Sequence, residues 1–138
     1  MTALPKALRG LFGRPETLLA GVPPGLDGLA LADLAALAAQ EGSQRLIFVA
    51  RDGQRLAEVE ASLAFFAPRL RTLVLPGWDC LPYDRVSPHA AVVARRMATL
   101  AALARDQAGE GPEIVLCTVN AIIQRLPPRA ELARRALS

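Results

Sequence analysis

The sequence predicts an α/β fold: a small parallel β-sheet with helices on both faces. Short, continuous apolar runs such as RLIFVA at Arg45–Ala50 and EIVLC at Glu113–Cys117 are typical of strands that are covered on both faces. Longer stretches with apolar residues at helical spacing alternate with these runs, and this alternation is typical of βαβ units. With 138 residues, 52% of them hydrophobic and 21% charged, the chain has the length and composition of a single domain with a sizeable core.

The N-terminal part is predicted to contain a helix, a strand and a second helix. Residues Thr2–Phe12 have the pattern of a short amphipathic helix, and residues 1–15 are predicted to form an extension of the single domain 1–138. Glu16–Val22 is predicted as the first strand. A loop rich in Pro and Gly follows, and Leu29–Gln40 is predicted as a helix because it is rich in Ala and Leu.

The middle of the chain is predicted as two strand–helix units. The strand Arg45–Ala50 precedes Asp52, which is predicted to cap a helix, and the strand Arg71–Leu75 precedes a loop and a helix that ends at Arg105. Ser87 is predicted as the N-cap of this later helix, with Pro88 at its first position. The 3.6-residue period predicts two apolar faces, Leu56, Val59, Leu63 and Phe66 on the first helix and Val93, Met97, Leu100 and Ala104 on the second.

The C-terminal part is predicted to hold one more strand and two helices. The strand is Glu113–Cys117, and the helices are Val119–Leu126, which Pro127 ends, and Arg129–Leu137. Counted with Glu16–Val22, the predicted sheet therefore has four strands.

The predicted strand–loop–helix at residues 16–40 has the architecture of a phosphate-binding loop. The motif G-x-x-x-x-G-K-[ST] uses backbone amides and a Lys to hold phosphates and a hydroxyl to hold Mg²⁺. Counted from Gly21, Asp27 and Gly28 stand at the Lys and hydroxyl positions, and counting from Gly25 gives no better match. We therefore predict a degenerate loop that binds neither nucleotide nor metal.

Composition restricts the function further. The net charge is only +3, and all but one of the sixteen basic residues are Arg, so nucleic-acid binding is permitted but not indicated. Cys80 and Cys117 are expected to be reduced thiols, and a single His leaves too few ligands for a Cys/His metal site. No apolar run approaches the length of a membrane span, and no signal peptide is recognisable. These features predict a cytoplasmic protein with no membrane partner.

The loop after Arg71–Leu75 concentrates rare residues, since it holds both the only Trp, Trp78, and the only Tyr, Tyr83. The two rings could stack on a base or a partner. We favour the interpretation that they pin the loop to the core, as aromatic residues beside prolines usually do. Asp79 and Asp84 are interpreted as turn caps, because no nucleophile–base pair accompanies them.

Six arginines between residues 95 and 135 form the strongest basic grouping. They could contact phosphate or acidic residues of a partner, although exposed helix charges need no function. With Trp78 and Tyr83, four of them are candidate partner-binding residues, namely Arg95, Arg96, Arg125 and Arg129. The other two are Arg134 and Arg135.

The loop and the helix after it also resemble a known family. WDCLPYDRVSPHAAVVARRMATLAAL, which begins at Trp78, is similar to the W-(D/E)-x-L-P-Y-D-x-x-S-P-H segment near the N-terminus of bacterial transcription-repair coupling factors. A second similar segment is VNAIIQRLPP at Val119–Pro128. The matching positions of the first segment are Trp78, Asp79, Leu81, Pro82, Tyr83, Asp84, Ser87, Pro88, His89, Arg96 and Leu100.

The resemblance implies a fold like the first domain of the excision-repair protein UvrB, a P-loop NTPase domain, here with the phosphate loop lost. It also implies a parent protein that displaces stalled RNA polymerase with an ATP-driven DNA translocase and recruits UvrA for nucleotide excision repair. ATP and Mg²⁺ would then act in motor domains beyond residue 138, and this region would be a non-catalytic scaffold. The alternative interpretation is a degenerate nucleotide- or DNA-binding module of the helicase type.

Overall fold

The computed structural model describes residue 11 and residues 14–80, 85, 87–105 and 111–135. Within these residues, helices and strands alternate as the sequence predicts. In chain order the elements are α1 (Asp27–Gln40), β1 (Arg45–Ala50), α2 (Gly53–Phe66), β2 (Arg71–Leu75), α3 (Ala90–Ala104), β3 (Glu113–Thr118), α4 (Val119–Ile122) and α5 (Arg129–Arg135). The helix predicted at Thr2–Phe12 falls almost wholly outside the described residues.

The three strands form one parallel sheet in the order β1-β3-β2. β3 is therefore the central strand although it is the last of the three in the sequence. All six of its residues are buried, as its continuous apolar run predicts. The predicted strands Arg45–Ala50 and Arg71–Leu75 have the observed bounds, and Glu113–Cys117 extends by one residue to Thr118.

Each face of the sheet has its own apolar core, because successive strand side chains point to opposite faces. The face towards α1 and α2, called here the α1/α2 face, buries Ala50, Leu56, Val59, Leu63, Val74, Ile114 and Leu116. The opposite face, called the α3/α5 face, buries Leu75, Leu100, Ala104, Cys117, Ala121 and Leu132. Helices on both faces are thus confirmed for the part of the chain that the structure describes.

A row of charges joins the amino ends of the three strands. Arg45, Glu113 and Arg71 lie opposite one another in the sheet register. The side chain of Glu113 is only 1% exposed, and its carboxylate accepts a 2.6 Å hydrogen bond from Arg45 Nε and lies 3.1 Å from Arg71 Nε. Two guanidinium groups therefore compensate the one buried carboxylate of the central strand.

The prediction of a strand at Glu16–Val22 is wrong. The structure gives this segment no regular secondary structure, and its residues are mostly exposed, with Leu18 at 88%. Gly21 has a φ of +79°, which is outside the range of a β-strand. A strand also requires hydrogen-bonding partners, and in the described part of the chain β1 pairs only with β3. The described sheet therefore has three strands where four were predicted.

The start of α3 differs from the prediction. Ser87 is not its N-cap: the helix begins at Ala90, and His89 caps it by accepting a hydrogen bond at Nδ1 from the Ala91 amide, 3.3 Å away. The cause is in the loop, since the carboxylate of Asp79 accepts a hydrogen bond from the His89 amide and fixes the entry of the chain into the helix. His89, which a helix start at Ser87 and Pro88 would place inside the first turn, thus lies just outside it.

The buried face of α3 is also rotated from the prediction. Met97 was assigned to the apolar face but is 38% exposed, while Arg96 and Thr99 are buried beside Leu100 and Ala104. Thr99 can be buried because its hydroxyl donates a 2.5 Å hydrogen bond to the Val74 carbonyl. The helical period alone predicted a different buried face, because it cannot detect a hydrogen-bonding partner such as the Val74 carbonyl.

Helix ends elsewhere agree more closely with the sequence. Asp52 caps α2, accepting a 2.8 Å hydrogen bond from the Arg55 amide, and this bond lowers the pKa of the carboxyl. Gly42 follows α1 with a φ of +88°, as expected for a C-terminal stop. α1 begins two residues before the predicted Leu29, and α4 ends four residues before the predicted Leu126.

The charge row at the strand starts predicts an unequal response to two similar substitutions. Glu113→Gln should lower the free energy of unfolding by about 2 kcal/mol, because two guanidinium groups lose the buried carboxylate between them. The matched control is Glu60→Gln, which removes an ion pair to Arg95 between half-exposed side chains and should cost less than about 1 kcal/mol. Urea unfolding monitored by circular dichroism measures both, and equal costs would contradict the structural role of Glu113.

Candidate functional site

The loop that precedes α1 contains the positions that were compared with the phosphate-binding motif. Gly21 and Gly25 adopt positive φ angles of 79° and 89°, and no atom of the described residues lies within 4 Å of a Cβ built at either position. The two residues at the Lys and hydroxyl positions of the motif, Asp27 and Gly28, form the first turn of α1. Their environment decides whether the loop is open to a ligand.

The first turn of α1 is in direct contact with α2. The Gly28 amide donates a 3.1 Å hydrogen bond to Ser62 Oγ, and that hydroxyl donates a 2.7 Å hydrogen bond to the Gly25 carbonyl. A Cβ at position 28 would lie 2.5 Å from the Leu63 nitrogen and from the Ser62 carbonyl carbon, so only Gly fits. The amide that a phosphate would use is therefore occupied by a side chain of the protein itself.

The charge at this turn is also compensated within the chain. The carboxylate of Asp27 lies 2.8 Å from Arg55 Nη2, and Arg55 also contacts Glu58 at 3.3 Å. Hydrogen bonds to Asp27 and then to Glu58 raise the pKa of the Arg55 guanidinium, which stays charged at any physiological pH. The motif needs a Lys and free backbone amides at this turn. This chain has the Asp27 carboxylate at the Lys position and a Gly28 amide that is hydrogen-bonded to Ser62.

A second candidate region lies at the carboxyl end of β2, where Trp78 covers Arg96. The guanidinium carbon of Arg96 is 4.9 Å from the centre of the Trp78 ring, and Arg96 Nη1 donates a 2.7 Å hydrogen bond to the Pro76 carbonyl. Arg96 is only 1% exposed, and burial lowers the pKa of its guanidinium. Trp78 keeps 36% of its surface exposed. The pair therefore fastens the loop to α3 while one side of the ring faces solvent.

Of the two acidic residues of this loop, the structure describes Asp79 and gives it a structural role. Asp79 holds the His89 amide at 3.2 Å, in agreement with its interpretation as a cap, and His89 in turn caps α3. Tyr83 and Asp84 lie outside the described residues, as do Leu81 and Pro82. The predicted packing of Tyr83 against the core therefore stays a prediction.

The predicted arginine grouping does not form one surface. Arg96 is buried below Trp78, while its neighbour Arg95 is half-exposed and pairs with Glu60 of α2. Arg129 Nε donates a 3.3 Å hydrogen bond to the Ala104 carbonyl, and Arg125 is exposed. The side chains of Arg134 and Arg135 lie outside the described residues. Partner contacts by Trp78, Arg95, Arg125 and Arg129 remain a prediction.

Three residues that matter in these regions were missed by the sequence analysis: Ser62, Arg55 and Thr99. Each acts through a partner more than twenty residues away, and local patterns carry no signal for such contacts. Among the described residues, no group of three or more His, Cys, Asp or Glu side chains could hold a metal ion. None of the helices in this part of the chain is long and apolar enough to cross a membrane.

Comparison with known proteins confirms the resemblance found in the sequence. The chain is 30% identical over 112 residues to the transcription-repair-coupling factor of Escherichia coli (strain K12), a match that covers 81% of this chain and 9% of that protein. It is 30% identical over 124 residues to that of Haemophilus influenzae, covering 87% and 10%. The factor of Rickettsia bellii is 23% identical over 95 residues, covering 69% and 8%.

The chain thus spans about one tenth of the length of the curated relatives that it matches. No protein-family model matches it. No solved structure matches it either. The fold is therefore established as a small α/β unit from its own structure, and its relationship to a region of transcription-repair-coupling factors from the sequence comparisons.

The contact between α1 and α2 makes position 28 sensitive to a single added methyl group. Gly28→Ala should lower the free energy of unfolding by about 3 kcal/mol, since the new Cβ meets backbone atoms that cannot turn away. The matched control is Gly53→Ala, at the start of α2, where a Cβ would meet nothing within 4 Å and Ala favours the helix. Thermal and urea unfolding measure both, and a Gly28→Ala protein as stable as the Gly53→Ala protein would show that the helices are not in contact.

Adjacent arginines on α3 provide a test of the Trp78–Arg96 pair. Arg96→Ala should cost about 3 kcal/mol of unfolding free energy, because it leaves a cavity below Trp78 and removes the donor to Pro76. Arg95→Ala, the control, removes an exposed ion pair and should cost less than about 1 kcal/mol. Fluorescence of Trp78, the only Trp, should shift to longer wavelength only in the Arg96 variant. A larger cost for Arg95→Ala would contradict the assignment.

Proposed function

We propose that this chain, as a relative of the transcription-repair-coupling factors, is a non-catalytic N-terminal scaffold domain of such a factor. One observation supports the scaffold role: at the loop position that would bind a nucleotide phosphate, the Gly28 amide is hydrogen-bonded to Ser62, and Asp27, paired with Arg55, stands in place of the Lys. In this proposal the α/β unit no longer binds nucleotide, and its fold serves to hold neighbouring domains in place.

The similarity to UvrB belongs to this proposal. The parallel sheet with helices on both faces and the loop before α1 are compatible with a degenerate P-loop NTPase domain like the first domain of UvrB. The strand that would complete such a loop, at residues 16–22, is absent from the described sheet. The chain would be a single domain of residues 1–138, with residues 1–15 as an extension.

The activity of the parent protein is proposed from the relatives. Their name states that they couple transcription to repair. In our proposal the parent displaces stalled RNA polymerase with an ATP-driven DNA translocase and recruits UvrA, in the cytoplasm. ATP and Mg²⁺ act in motor domains outside this chain, and this chain uses no cofactor. Its partners are the remaining domains of the parent protein and, through them, UvrA, RNA polymerase and DNA.

Calorimetry with ATP and Mg²⁺ tests the non-catalytic part of the proposal. The chain should give no saturable heat, because it lacks both the Lys and an open amide cradle. The comparison is Ser62→Ala, which frees the Gly28 amide without supplying a cation and should also fail to bind. Saturable ATP binding by the unaltered chain would favour the alternative, a nucleotide-binding module of the helicase type.

Pull-down with purified UvrA, RNA polymerase core enzyme and duplex DNA tests the scaffold part. The 138-residue chain should bind each of them weakly, whereas a longer polypeptide that includes the domains beyond it should bind UvrA and polymerase. DNA binding by the chain should disappear at moderate salt, since its net charge is only +3. Tight, salt-resistant DNA binding by the chain alone would contradict the scaffold role.

A further inference from the structure

The two faces of β1 are covered unequally. On the α1/α2 face, Leu46 and Phe48 are half-buried and pack against the core cluster, and Ala50 is buried within it. On the α3/α5 face the alternate residues Ile47 and Val49 are 58% and 42% exposed. Parallel strands are normally covered on both faces, so one layer over β1 is missing from the described part of the chain.

The exposed face of β1 continues into a larger apolar surface. α4 packs beside β1 and β3, and around it Val119, Ile122 and Ile123 are 45%, 50% and 74% exposed. Leu126, which is 47% exposed, leads from there into a groove of about 210 Å³ between the end of α3 and α5. We call this surface the β1–α4 patch and define it by Ile47, Val49, Val119, Ile122, Ile123 and Leu126.

The shape of the patch fits a helix. A six-residue strand is about 20 Å long, which is the length of a helix of about 13 residues. Helices are the elements that cover the faces of parallel sheets, and the opposite face of β1 is already covered by α1 and α2. An apolar stripe along one side of such a helix would cover Ile47 and Val49 and reach Ile122 and Ile123.

The charges around the patch indicate the polar side of this helix. From residue 119 to residue 130 the only charged side chains are Arg125, which is exposed, and Arg129, and the next charge along the chain is Glu131. Arg45 also lines the groove, but it is paired with Glu113. A helix with acidic residues beside its apolar stripe would therefore be favoured over one with basic residues, both during encounter and in the bound state.

We propose that the β1–α4 patch is the docking surface for an amphipathic, acidic helix supplied by another part of a longer polypeptide. The argument for this source is length, since the matched relatives are about nine times as long as this chain and would provide such an element in cis. The assignment of the helix to the same polypeptide rests on the proposed function. The apolar character of the patch and its neighbouring charges are observed independently of that function.

The experiment uses the 138-residue chain and two labelled peptides of about 18 residues, long enough to form a helix on a surface. One peptide is built from Leu and Glu at amphipathic spacing, and the other carries Lys in place of Glu. Fluorescence anisotropy should show saturable binding of the Leu/Glu peptide, at least about tenfold tighter than binding of the Leu/Lys peptide.

Three variants locate the binding. Ile123→Ser, at an exposed position, and Ile47→Thr, which keeps a β-branched residue in the strand, should each weaken binding of the Leu/Glu peptide about tenfold. Phe65→Ser, which removes a 78% exposed ring from α2, is the matched control and should leave the affinity unchanged. Circular dichroism confirms that each variant is folded.

Several outcomes would overturn the proposal. They are the absence of saturable binding, equal affinity for the two peptides, and equal weakening by Phe65→Ser, which would mean unspecific apolar contact. A dimer in sedimentation that Ile123→Ser dissociates would make the patch a contact between two copies of the chain. None of these results depends on binding to UvrA or polymerase, so failure here is distinguishable from failure of the proposed function.

Discussion

The constraint on which this structure depends is the complete burial of its central strand. Each residue of β3, from Glu113 to Thr118, is buried, so both faces and both edges of the strand must be covered at once. β1 and β2 take its two edges, and a separate apolar core covers each face. The single carboxylate of this strand is tolerated because Arg45 and Arg71 reach it from either side.

The candidate functional regions are consequences of how the helices pack around this sheet. α1 lies so close to α2 at Gly28 that Ser62 hydrogen-bonds to the Gly28 amide and the Gly25 carbonyl. Arg55 of α2 pairs with Asp27 at the same turn. The same kind of internal compensation appears at Trp78, which covers the buried guanidinium of Arg96. Groups that could bind a ligand are thus engaged in contacts within the fold.

Sequence patterns predicted the strands and helix ends that depend on the residues within each segment. The apolar runs located the three strands of the sheet, and Asp52 and Gly42 marked helix ends because caps and positive φ angles have residue preferences. The prediction failed at Glu16–Val22, whose composition resembles a strand but which lacks a neighbour to pair with. It also failed for Arg96 and Thr99, whose burial depends on carbonyl groups of β2 and the residue after it. The absence of binding at the predicted degenerate phosphate loop stays a prediction, and the contact of Ser62 with Gly25 and Gly28 could not be predicted because Ser62 lies 34 residues from Gly28 in the sequence.

The central claim is that β3 is the core of an α/β unit in which, among the described residues, the β1 edge and one β1 face are uncovered. Native-state hydrogen exchange of the 138-residue chain, resolved by residue with NMR, tests it most directly. The account predicts that β3 amides exchange only by global unfolding, while the β1 amides that point away from β3 exchange much faster through local opening. Uniform protection of all β1 amides, equal to that of β3, would contradict the claim because it would require a further paired strand.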